Sequence, residues 1–122
     1  EDENLLQAST NKGNYVRQRM DQWPAQFDCV GDVRGKGLSI GIDIVSDKAK
    51  KTRDPEAALK ICNYCFDHGV ILIAIAGNVL RFQPPLVIEY DQLDQALDTI
   101  EDAIHALEAG ELDNYNIAGQ GW

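Results

Sequence analysis

GVILIAIAGNVLRFQPPL, residues 69–86, reads as a strand, a turn and a second strand. Val70 to Ala76 is apolar and β-branched, with the length of a buried strand. Gly77-Asn78 tolerates positive φ and predicts a two-residue hairpin turn. Val79-Leu80-Arg81-Phe82-Gln83 follows, and Pro84-Pro85, which cannot donate to a ladder, stops it. A period of two sets Leu80 and Phe82 on one face, with Val79, Arg81 and Gln83 on the other. Arg81 is the odd member of this hairpin. A guanidinium among apolar neighbours at a strand end needs an anion or a route to water. Either it closes an ion pair of the fold or snorkels over its own stem, or its fork receives the carboxylate of a small ligand.

Working outward, Asp54-Pro55-Glu56 carries an N-cap acceptor, a proline for the first helical position and an acid for the positive end of the dipole. The helix it opens buries Ala58, Ile61, Cys62, Cys65 and Phe66, and Gly69 supplies a left-handed C-cap. Cys62-Asn63-Tyr64-Cys65 has C-x-x-C spacing, but mid-helix, where no dipole end stabilises a thiolate. These are read as core residues. No second cysteine pair or suitably spaced histidine completes a zinc site. His68, in the last turn, suits the negative helix end and is not a ligand.

Further upstream, Leu38, Ile40, Ile42 and Ile44 alternate with Ser39, Gly41, Asp43 and Val45, as in a strand with one covered face. Residues 29–34 precede it as another strand across a Gly35-Lys36-Gly37 turn. Those glycines are not a phosphate cradle, since a strand rather than a helix follows them. Residues 4–23 form an amphipathic helix with Leu5, Ala8, Tyr15, Val16, Met20 and Trp23 along its stripe, Gly13 as a weak point and Pro24 as its end. Ser46 to Arg53 is a solvated loop. Asp91, with Asp94 as capping partner, opens a last helix burying Leu93, Ala96, Leu97, Ile100, Ala103, Ile104 and Leu107, closed by Gly110. Its acids Asp98, Glu101, Asp102 and Glu108 form a solvated face rather than a metal site.

The order helix, strand, strand, helix, strand, strand, helix predicts an α+β two-layer sandwich, with helices on one face of a small, mainly antiparallel sheet. The 122 residues are one domain's worth of chain. Residues 1–110 make the domain and residues 111–122 an extended arm. The net charge of −9 argues against nucleic-acid and anionic-membrane partners. No apolar run reaches the length of a membrane span, and the expected location is cytoplasmic.

Two motifs, Val30-Gly31-Asp32-Val33-Arg34-Gly35-Lys36-Gly37-Leu38 with Gly41 beyond, and Asn78-Val79-Leu80-Arg81-Phe82-Gln83-Pro84-Pro85-Leu86, together resemble the C-terminal small domain of class III pyridoxal-phosphate aminotransferases, most nearly the 4-aminobutyrate aminotransferases. The resemblance runs from the first helix to about Leu107. It implies the small domain of a fold-type I enzyme in which Arg81 binds a carboxylate of the amino-acid or 2-oxo-acid substrate. Gly77 and Asn78 would shape the turn that presents Arg81, and Arg34, Gly35 and Gly37 would be structural. It further implies pyridoxal 5'-phosphate held by a large domain outside this chain, together with the cofactor lysine, in an enzyme that is usually a homodimer. No catalytic, cofactor-binding or metal-binding residue is assigned within these residues, and alone the chain is expected to be inactive. The apolar approach Ile73-Ala74-Ile75-Ala76 departs from the family's usual glycine and threonine. It keeps open an amino-acid racemase or epimerase on the same scaffold. A stand-alone small-molecule-binding module is the reading from a different class.

Overall fold

The computed structural model describes residues 2–47, 52–75, 78–85 and 87–112. Helix α1 (Asp2–Met20) leads into a short α2 (Trp23–Gln26). Strands β1 (Val30–Lys36), β2 (Ser39–Asp47) and β3 (Thr52–Arg53) follow, then helix α3 (Pro55–Asp67), strands β4 (Ile73–Ile75) and β5 (Val79–Phe82), and helix α4 (Tyr90–Glu108). The sheet runs β1-β2-β5-β4, with β3 pairing on β2, and every pairing is antiparallel. Helices cover one face, giving the expected α+β sandwich.

Register explains the layers. Ile42 pairs with Val33 on one side and Leu80 on the other, and Ile40 pairs with Gly35 and Phe82. These residues share the face packed on Ala58, Ile61, Leu97, Ile100 and Ile104, and Ile40, Ile42, Ile44 and Leu80 are wholly buried. The alternation expected along residues 38–45 therefore holds, except that Val45 is buried as well, against Gly31.

Several local expectations change. Pro24 does not close α1, which stops at Met20; it lies at the start of α2, where a missing N–H costs nothing. Gly13 is less a weak point than a crossing: a Cβ there would lie 2.3 Å from the carbonyl oxygen of Gly37, so α1 passes directly over the β1–β2 turn. That turn is Gly37-Leu38, with Gly37 at φ 58° and Lys36 paired to Ser39. Gly35 belongs to the strand. The expected loop at residues 46–53 is partly ladder, because β2 continues to Asp47 and meets β3.

In α3, Asp54 caps as predicted, its Oδ1 accepting from Ala57 N–H at 3.1 Å, and Gly69 is left-handed at φ 89°. Phe66 is not in the core; it is exposed, one position off the stripe that Ala58, Ile61, Cys62 and Cys65 define. Cys62 and Cys65 are buried free thiols. Burial raises both, Cys65 to about 12.

The strand expected at residues 70–76 shrinks to β4, at the sheet edge. Leu72 turns inward, but Ile71 and Ile73 are exposed. An apolar run there signals an uncovered edge, because β5 takes the central place beside β2. α4 begins at Tyr90 rather than Asp91, and Gln92, not Asp94, closes the cap by accepting from Glu89 N–H at 2.9 Å. Asp94 instead accepts from Tyr15 Oη–H at 2.6 Å. The acids of α4 are only partly solvated. Glu101 takes Arg19 and the Trp23 indole, while Glu108 accepts from Cys29 N–H at 2.9 Å. Leu112 is buried; residues 113–122 of the expected arm lie outside the described residues.

Candidate functional site

Arg81 stands on the uncovered sheet face, in the second-to-last position of β5. Its Cα partners are Gly41 on β2 and Ile73 on β4, and Gly41 is partnered in turn by Arg34 on β1. Arg34, Gly41, Arg81 and Ile73 thus form one row across four strands. With neighbouring strands about 4.8 Å apart, the two arginine Cα atoms are separated by about 10 Å, and Gly41 between them has no side chain of its own but is overhung by Val79, whose Cγ1 lies 3.3 Å from where a Cβ would be. The sequence reading made Arg34 the last residue of its first strand and gave it a structural role. It lies inside β1, on the same face as Arg81, and it is the pairing of both strands with β2 that sets the two in one row.

The two guanidinium groups differ in their surroundings. Arg34 Nη1 donates to Asp43 Oδ2 at 2.7 Å and to Asp32 Oδ2 at 3.4 Å. The hydrogen bond to Asp43, then the charge of both acids, binds the Arg34 proton more tightly than usual. Arg81 is exposed and has neither hydrogen bond nor ion pair among the described residues. It lines a cleft of about 640 Å³ with Ile71, Ile73, Pro84, Val87 and Gln92, so a cation meets a largely apolar wall. His68 lines the same cleft, its ring stacked on Tyr64 at 4.1 Å and its Nδ1 2.8 Å from the Tyr64 carbonyl oxygen.

Asn78 fixes the start of β5. It is buried; its Nδ2 donates to the Ile44 carbonyl at 3.1 Å, and its own carbonyl accepts from Ile44 N–H at 2.9 Å. One residue thus supplies both halves of a ladder step beyond the Asp43–Val79 pair. Slipping this register by one residue would turn Arg81 into the core face. Ile75, the last described residue before the expected turn, pairs with Val79. Gly77 lies outside the described residues.

A second cleft, about 230 Å³, is lined by Asp32, Arg34, Asp43, Arg53, Asn78 and Val79. Two acids face two arginines there. No group of three or more His, Cys, Asp or Glu suited to a metal occurs among the described residues, and none of their helices is long and apolar enough to cross a membrane.

Residues 1–104 match the family described as aminotransferase class-III. The chain is 47% identical over 110 residues to the isoleucine 2-epimerase of Lentilactobacillus buchneri, covering 90% of this chain and 24% of that protein. A probable 4-aminobutyrate aminotransferase of Bacillus subtilis is 32% identical over 108 residues, covering 87% and 25%. A crystal structure of a Bacillus anthracis aminotransferase superposes with a TM-score of 0.78 at 31% identity, over 86% of this chain and 25% of that one. The chain thus spans about a quarter of the length of the relatives it matches. Matched over most of its length by a family model and by relatives on both sides of that family, the chain belongs to the class-III aminotransferase family of pyridoxal-phosphate-fold enzymes.

Proposed function

We propose that this chain is the substrate-side domain of a pyridoxal-phosphate-dependent amino-acid racemase or epimerase, in which Arg81 binds the substrate carboxylate. The observation that carries this reading is Arg81 itself, a guanidinium without an acid partner among the described residues, at the rim of an apolar cleft. A fork that holds a carboxylate beside Ile71, Ile73 and Val87 suits an amino acid with an apolar side chain. The greater identity to an isoleucine 2-epimerase than to a probable 4-aminobutyrate aminotransferase favours inversion at Cα over amino-group transfer. The 4-aminobutyrate likeness read from the motifs becomes the second reading, with a 2-oxo acid as amino acceptor.

Pyridoxal phosphate, when bound, supplies the electron sink for loss of the Cα proton. The residues around Arg81 do not fit the cofactor itself. No lysine is among the described residues lining the cleft; Lys60 lies 3.5 Å from Glu56, and Lys12 sits over the Tyr90 ring. The cofactor and its lysine are accordingly assigned to a large domain of a longer polypeptide, in a homodimeric, cytoplasmic enzyme. Residues 1–110 would be its small domain and residues 111–122 an arm. In this reading the task of these residues is to bind and orient, with Gly77 and Asn78 shaping the turn before Arg81.

The test is incubation of the full-length enzyme with L-isoleucine in deuterium oxide. Deuterium at Cα with inversion, and no 2-oxo acid, is expected. Stoichiometric 2-oxo acid without inversion would replace epimerisation by transamination.

A further inference from the structure

Arg34 and Arg81 flank Gly41 in one row on the uncovered face, yet of the two only Arg34 has an acid partner among the described residues. Two guanidinium groups about 10 Å apart at their Cα atoms, with only the short Val79 side chain reaching over Gly41 between them, are spaced to bracket a molecule with a carboxylate at each end. Asp43 works against that use. It takes Arg34 Nη1 at 2.7 Å, with Asp32 on the same nitrogen at 3.4 Å, while Arg34 Nε and Nη2 have no partner among the described residues. The hold is one-sided for the acid too. Asp43 Oδ1 is buried without a hydrogen-bond partner among the described residues, so the pair is not the two-bond fork that arginine and carboxylate prefer. With Asp32 and Asp43 against Arg34 and Arg53, this cleft has no surplus positive charge for a second anion.

We propose that Asp43 is a specificity-determining residue: by occupying Arg34 Nη1 and neutralising its charge it leaves Arg81 as the carboxylate receptor of the row, and so selects monocarboxylate amino acids over dicarboxylate ones. The proposal rests on the carboxylate-binding role given to Arg81 above. It adds an exclusion device, in which discrimination comes from an acid occupying the second receptor.

The experiment measures binding of two unreactive probes, glutarate and pentanoate, by calorimetry on the full-length cofactor-loaded enzyme. Asp43→Asn is expected to raise the affinity ratio of glutarate to pentanoate about tenfold, by freeing one charge-assisted fork. The double variant D43N/R34Q is expected to return the ratio to that of the parent. Asp43→Ser, measured alongside with a thermal melt of each protein, provides a second removal of the acid if the asparagine variant does not fold. An unchanged ratio in a folded Asp43 variant, or a gain that survives R34Q, would overturn the proposal. Arg81→Gln separates the two readings. Loss of pentanoate binding in R81Q with no ratio change in D43N defeats only the role of Asp43. Unchanged pentanoate binding in R81Q defeats the role of Arg81, and this inference with it.

Discussion

Arg19 on α1 and Glu101 on α4 meet at 2.8 Å across 82 positions of sequence, and the same carboxylate accepts the indole N–H of buried Trp23 at 2.7 Å. The hydrogen bond from Arg19 holds the Glu101 carboxyl below its ordinary 4.5. A depressed folded value means stabilisation that is complete above the ordinary range and lost as pH falls through the folded value. Replacing Glu101 by Gln should cost about 2 kcal/mol at about pH 7, and the gap in Tm between parent and E101Q should close as pH drops below 4.5. A gap independent of pH would show that the carboxylate's charge contributes nothing.

Gly13→Ala should destabilise the chain by about 2 kcal/mol, although alanine is the better helix former by about 1 kcal/mol. The methyl would sit 2.3 Å from Gly37 O, and backbone on both sides cannot yield cheaply. At Gly69 the space is open but φ is 89°, so Gly69→Ala should cost only about 1 kcal/mol. Urea unfolding of both variants gives the comparison; an order reversed from this one would remove the crossing as a constraint.

Asn78→Ala deletes a 3.1 Å bond to the Ile44 carbonyl, which keeps a second donor in Asp54 N–H at 3.2 Å. The stability loss should therefore be modest, about 1 kcal/mol. KM should nonetheless rise severalfold in the full-length enzyme, since Asn78 holds the strand that presents Arg81. A KM equal to the parent's would leave Asn78 with a folding role alone.

Arg81→Lys keeps the charge and discards the fork. KM should rise roughly tenfold while the absorbance of bound cofactor stays that of the parent. Parental steady-state kinetics in R81K would mean that two-bond recognition is not used.

All three cysteines should resist a thiol reagent in the native protein at about pH 8, because only thiolates react. Burial, with Glu108 nearby, pushes Cys29 up to about 12, and burial, with Cys62 nearby, does the same for Cys65. Ellman titration should find no fast thiol before denaturant and three after it. A rapidly reacting thiol in the folded state would reopen redox chemistry for the Cys62-Cys65 pair.

Much of the fold was legible because periodicity and punctuation agreed. The alternation through Ile40, Ile42 and Ile44, the Asp54-Pro55 start and the Gly69 stop each reflect local physics, and each holds. The misses share a different cause. Apolar content promised burial for residues 70–76 and for Phe66, but burial depends on which strand takes the sheet's centre and which way a helix faces. Local sequence does not encode either. The site followed the same division. Arg81 stood out by itself, whereas its alignment with Arg34 required the β1-β2-β5 register, a long-range fact.

β4, three residues at the sheet margin, has one side of its backbone unpaired among the described residues, beside exposed Ile71 and Ile73. An apolar margin of this kind is a template on which another chain can nucleate cross-strand growth, and its brevity limits how many hydrogen bonds a newcomer gains. Lengthening β4, or removing the Pro84-Pro85 stop that ends its neighbour, would turn a tolerated margin into a fibre-forming one.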